Sequence, residues 1–195
     1  MTTSLESVSK EFSPSAIGRW ATNLHTGADQ TISNASDKLV DALSKRAAAL
    51  ADGDREKLLG YVEGLKETLD ANRKSMVEVI DGATDGFKAA RLRIKEAGGS
   101  YQLDFAEKFN DSRIKINADF NEFFGGHAKQ LETFAEEVNG VSDVGALKKL
   151  INSVGGYLDS SVVKVKKLKD KAREPAKDLT AQYTRYAEGF DPKSK

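Results

Sequence analysis

Residues 58–83 read LLGYVEGLKETLDANRKSMVEVIDGA, and in that stretch Leu58, Val62, Leu65, Leu69, Asn72, Met76, Val79 and Ala83 follow one another at alternating steps of four and three. Apolar side chains at that spacing line one stripe of an α-helix, and a seven-residue repeat keeps the stripe against a neighbouring helix along its length. The stretch therefore predicts a helix made to pair. A single Asn on such a stripe weakens apolar packing but fixes register and partner number, which makes Leu58, Val62, Leu65, Leu69, Asn72 and Met76 candidate self-association residues. The other reading of Asn72 is a solvated residue on a loose bundle.

Downstream, the stripe slips by one residue at Val79-Ile80 and continues as Ile80, Phe87, Ile94 and Tyr101, with Ala83, Ala90 and Ala97 between them. Beyond Tyr101 the spacing becomes eleven: Phe105, Ile116, His127 and Val138 form one row, Phe109, Phe120 and Leu131 a second, Ser112, Phe123 and Phe134 a third. Eleven residues over three turns is about 3.67 per turn, close to the relaxed helix, and suits a nearly straight helix lying against a flat partner or surface. The rows keep their phase across Gly125-Gly126, which favours a helix or kink there. Gly98-Gly99 and Gly125-Gly126 are also candidate hairpin turns, because each Gly costs roughly 1 kcal/mol inside a helix.

Asn139-Gly140 reads as a helix stop, with Ser142 or Asp143 as the next cap. Val144, Ile151, Leu158, Val165 and Ala172, interleaved with Leu147, Val154, Ser161 and Leu168, then make four heptads that are expected to end at Glu174-Pro175. Val144, Ile151, Leu158 and Val165 join the self-association set. Upstream, Ile32, Ala35, Leu39, Leu43, Ala47 and Leu50 mark a helix closing at Asp52-Gly53-Asp54. The expected organisation is a flexible arm over 1–30 anchored only by Ile17 and Trp20, a helical region over 31–174 (31–52, 54–97, 100–139 and 142–174), and a short helix with a tail over 175–195. The fold class is all-α, with elongated amphipathic helices in a coiled-coil-like or helical-bundle arrangement.

Composition agrees. Of 195 residues 31% are charged and three are Pro, which favours long solvated helices around a thin core over an all-β fold. Having no Cys excludes disulfides, thiolate zinc sites and a cysteine nucleophile. No run approaches the ~20 apolar residues of a membrane-spanning helix, and the first residues lack a secretory pattern, so a cytoplasmic location without membrane insertion is expected. Net charge is zero, yet residues 141–195 carry 12 basic and 7 acidic side chains. That split suits antiparallel folding or head-to-tail association better than phosphate neutralisation, so nucleic acid is not an expected partner.

No catalytic constellation emerges, and a non-enzymatic role without metal or cofactor is expected. His25 and His127 are far apart and read as packing residues. Asp52, Asp54, Glu56 and Glu63 imitate the spacing of a calcium loop, but Lys57 stands where its turn needs Gly. Two features exceed this background. Phe105, Phe109, Phe120, Phe123, Phe124 and Phe134 crowd one stretch of helix, either as bundle core or as a face that adsorbs to lipid, a granule or another protein. Lys164, Lys167 and Lys171 flank one side of the Val165–Leu168–Ala172 stripe, either as a solvated flank or as contacts to an anionic surface.

A cysteine-free chain of amphipathic helices with eleven-residue periodicity over residues 30–175 resembles, in its general make-up, the exchangeable apolipoproteins and the phasins that coat storage granules. That resemblance implies binding to lipid droplets, granules or membrane surfaces. Two functions are thus expected as alternatives: a self-associating, homo-oligomeric structural protein of a filament, shell or scaffold, and a coat.

Overall fold

A computed structural model of the chain describes residues 14–50, 52–97, 99–141 and 143–187. They form an all-α helical bundle of α1 (Pro14–Ala48), α2 (Asp52–Ala97), α3 (Gly99–Gly140) and α4 (Val144–Ala187), with no strand among the described residues. Local chemistry sets the ends. Pro14 opens α1 at a position whose N–H has no intrahelical partner in any case. Asp143 caps α4, its carboxylate accepting a hydrogen bond from the Ala146 amide at 2.8 Å.

The helices fall into two compact units. Unit 1 comprises Met1–His25, Val79–Phe120 and Lys167–Lys195; unit 2 comprises Thr26–Glu78 and Asn121–Lys166.

In unit 1 the rings of Phe87 on α2 and Phe109 on α3 meet with centroids 5.1 Å apart. Along one uninterrupted helix these residues would stand about 33 Å apart, so the chain reverses between α2 and α3. Trp20 of α1 joins both rings edge to face, at 5.8 and 5.7 Å. Its indole Nε1 donates to the Asn117 side-chain oxygen at 2.6 Å. Gly86 of α2 brings the backbone so near α4 that an added Cβ would stand 2.8 Å from the Ala176 Cβ.

In unit 2 the core is mainly aliphatic, with Leu39, Leu43, Leu58, Leu65, Leu131, Val138 and Leu158 among its buried members. Arg73 of α2 pairs with Asp29 of α1 at 2.5 Å, and Tyr157 of α4 meets His127 of α3 at 3.0 Å, so α1–α2 and α3–α4 are both antiparallel hairpins. The exposed pair Lys38–Glu132 sets α1 beside α3. Lys148 lies over the exposed Tyr61 ring at 5.1 Å and sets α4 beside α2. Each hairpin helix thus has a parallel neighbour in the other hairpin.

Several boundaries differ from the sequence expectation. Residues 14–30 are helix rather than arm, because Ile17 and Trp20 are buried in unit 1; residues 1–13 lie outside the described residues. Gly125 and Gly126 lie within α3 and do not form a turn, as the unbroken row phase favoured, whereas the reversal falls between Ala97 and Gly99. The break expected at Glu174-Pro175 does not occur. α4 runs through Pro175, and the contacts of Ala176 and Leu179, both buried, offset the one backbone hydrogen bond that a proline forfeits. Residues 188–195 of the expected tail lie outside the described residues.

Candidate functional site

The candidate self-association residues face inward. Leu58, Val62, Leu65, Leu69 and Met76 on α2, and Ile151, Leu158 and Val165 on α4, are buried against the chain's own helices, and Val144 is half-buried at the start of α4. The stripe at heptad spacing is thus covered within one molecule. The Phe cluster divides. Phe109 and Phe120 are buried in unit 1; Phe124 and Phe134 are buried and Phe123 half-buried in unit 2; the Phe105 side chain lies outside the described residues. Lys164, Lys167 and Lys171 are exposed, and Lys171 pairs with Asp119 of α3 at 2.9 Å. Among the described residues the large apolar side chains Leu59, Tyr61, Ile114 and Val163 stand in solvent.

Three polar arrangements interrupt unit 2. Asn72, the residue that breaks the α2 stripe, is 5% exposed. Its side-chain nitrogen donates to the Leu158 carbonyl at 3.0 Å and to the Ser161 hydroxyl at 3.2 Å, and Ser161 itself donates to Leu158 at 2.6 Å. The Asn72 side-chain oxygen is buried without a partner. His127, on the hendecad row, lies parallel to Tyr157 with centroids 5.3 Å apart, and its Nδ1 shares a hydrogen bond with the Tyr157 hydroxyl. Nε2 has no partner, and burial pushes the imidazole down to about 4 and the Tyr157 phenol up. A buried imidazole with one orphaned nitrogen packs as a neutral ring.

The third arrangement is a charged clamp. Arg73 reaches Asp29 on one side and Asp70 at 2.6 Å on the other, while Lys74 also holds Asp70, at 2.7 Å. Hydrogen bonds from Lys74 and Arg73 hold the Asp70 carboxyl down to about 2. Sequence reading marked Asn72 and His127 but missed Arg73 and Tyr157. Asp29 stands 44 positions from Arg73, and no local pattern announces such a pair.

Between α1 and α3 of unit 2 runs an open groove lined by Lys38, Asp41, Lys45, Glu132, Glu136 and Asn139. Its charges are largely paired, Lys38 with Glu132 and Lys45 with Asp41. Among the described residues no group of three or more His, Asp or Glu could hold a metal ion, and no helix is long and apolar enough to cross a membrane. Comparison with protein-family models, curated proteins and solved structures returns no match. The chemistry of the site therefore rests on the chain itself, an inward-facing set of long apolar stripes, polar at Asn72 and His127.

Proposed function

We propose that the protein is a coat for apolar surfaces, a bundle whose helices turn their buried stripes from one another onto a lipid droplet or storage granule. The observation that carries this reading is the set of glycines in unit 2. Gly60, Gly64, Gly125, Gly126, Gly155 and Gly156 lie inside helices, and a Cβ added at any of them would meet nothing within 4 Å. Packing does not require them, yet each weakens its helix by roughly 1 kcal/mol relative to Ala. Helices that can bend or unwind locally where nothing asks for the space ease the path to an open form, and the polar atoms orphaned in the core lower the cost of reaching it. Amphipathic helices of 42–46 residues then offer a long apolar face to an interface.

Flotation with a triacylglycerol emulsion tests the reading. The protein is expected to rise with the droplets while remaining helical by circular dichroism. A variant carrying Gly125→Ala, Gly126→Ala, Gly155→Ala and Gly156→Ala is expected to adsorb more slowly but to float to the same final extent, since closed and adsorbed forms are both helical and the glycines ease only the bending or local unwinding that opening passes through. Absence of the unaltered protein from the floating layer refutes the coat.

A second reading, self-association, draws on the same stripes. In the closed bundle they are occupied, so subunits would join by exchanging hairpins α1–α2 and α3–α4, which one short link connects. Light scattering of the protein without emulsion separates this reading, which requires species larger than one chain.

A further inference from the structure

Two glycine pairs of unit 2 lie at one height of the bundle. Nδ1 of His127 and the Tyr157 hydroxyl share a hydrogen bond at 3.0 Å and their rings stack with centroids 5.3 Å apart, which sets residue 127 of α3 level with residue 157 of α4. Gly125-Gly126 immediately precedes the first ring and Gly155-Gly156 the second, and the two helices run in opposite directions. The pairs therefore stand within about one turn of each other across the hairpin. Gly125, Gly126 and Gly156 are exposed and Gly155 is half-buried, so water reaches the backbone on the outer side of both helices.

The same height disturbs the backbone of α4 from within. The Leu158 carbonyl, two residues past Gly156, accepts side-chain hydrogen bonds from Ser161 at 2.6 Å and from Asn72 of α2 at 3.0 Å. Side-chain donors entering the ladder of a helix are one cause of bending, and pairs of small residues are another. Asn72 Oδ1 and His127 Nε2, both buried here without a partner, cost free energy that a small displacement toward water recovers. The other hairpin is built differently. α1 has no glycine after Gly27 and α2 has none between Gly64 and Gly82, so both pass this height on residues that carry side chains. Arg73, next to Asn72, straps them there by holding Asp29 of α1 and Asp70 of α2.

We infer that unit 2 contains a hinge in hairpin α3–α4: α3 at 125–127 and α4 at 155–158 flex together about the His127–Tyr157 contact, while α1–α2 stays straight. A single soft helix would be splinted by a stiff neighbour; two opposed soft points bend as one. Flexing through a small angle keeps the apolar stripes covered, so the device belongs to the closed bundle and is independent of the coat reading. It gathers the internal motion of unit 2 at one height and leaves the turns on either side paired.

Hydrogen exchange of the full chain, followed by mass spectrometry and corrected for intrinsic rates, tests the hinge. Each of the substitutions used places a Cβ in open space, so the variants are expected to fold. In the unaltered protein, amides of 125–129 and 155–159 are expected to exchange at least about tenfold faster than those of the neighbouring turns. Gly125→Ala with Gly126→Ala alters α3 alone, yet is expected to slow exchange about tenfold at 125–129 and also across the hairpin at 155–159. Gly155→Ala with Gly156→Ala is expected to act in the reverse direction. Gly60→Ala with Gly64→Ala, on α2 and away from this height, is expected to leave both segments within about twofold. Slow exchange at both segments in the unaltered chain, slowing confined to the helix that carries the substitution, or equal slowing by the α2 pair overturns the hinge.

Discussion

Unit 1 and unit 2 use the same four helices but pack them by different means. In unit 1 three aromatic rings, Trp20, Phe87 and Phe109, meet edge to face, the indole donor is satisfied by Asn117, and the buried Thr84 hydroxyl donates to the Asp81 carbonyl. Two of its glycines are tight, Gly86 against Ala176 and Gly82 against the Lys169 stem, whereas Gly18 faces open space. In unit 2 the core is mainly aliphatic beside the aromatic row of Phe123, Phe124, His127, Tyr157 and Phe134. There Ser36, Asn72 and His127 each keep a buried polar atom without a partner, as Arg91 does in unit 1, and the interior glycines face open space. The contrast separates two uses of one residue type. A glycine whose missing Cβ lets helices approach stabilises the packing; a glycine with nothing near it only loosens the helix.

The contrast can be broken most severely at its aromatic end. Phe87→Ala deletes the ring that touches both Trp20 and Phe109 and is expected to cost about 3–5 kcal/mol in urea unfolding, with the loss of protection in hydrogen exchange falling first on unit 1.

Next in size comes acid. His127 has an ordinary value near 6.5 when unfolded and about 4 when buried, so the unfolded chain binds the extra proton. Its contribution is complete above pH 6.5 and is lost as pH falls from there toward 4, on the order of 3 kcal/mol by the lower end. Unit 2 is expected to loosen in that window in hydrogen exchange, and His127→Phe to flatten the profile. A stability that does not change between pH 7 and 4 in the unaltered protein contradicts the assignment.

The smallest effects sharpen the glycine comparison, because they are expected to differ in sign. Gly156→Ala should raise stability by about 1 kcal/mol, since its Cβ enters free space. Gly86→Ala should lower it, since its Cβ would meet the Ala176 Cβ, which has no flexible stem to move aside. Thermal melts of the two variants beside the parent chain read both signs.

Much of the fold was written in periodicity. The heptads from Leu58 and from Val144 and the hendecad rows through His127 mark the residues that are buried, because a stripe must be covered by something. What a stripe does not encode is whose surface covers it. The same Leu58–Met76 pattern fits a second chain or the chain's own α4, and only tertiary contact decides between them. Only the start of α1, residues 14–30, reads as arm, because Trp20 is held by Phe87 and Phe109, neither of them near it in sequence. Pro175 was read as a stop because the local rule is strong, and Gly86 passed unnoticed because a tight glycine and a loose one are the same letter.

The parallel pairing of α1 with α3 and of α2 with α4 also bears on how the molecule is assembled. The contacts that join the hairpins link residues far apart in the chain, 94 positions between Lys38 and Glu132 and 86 between Asn72 and Leu158, whereas His127 and Tyr157 are separated by 30. Loops that long close late and slowly. On a ribosome, α1–α2 would be zipped with its greasy side bare until α3 and then α4 had been synthesised, so the nascent chain carries an uncovered apolar face for that interval.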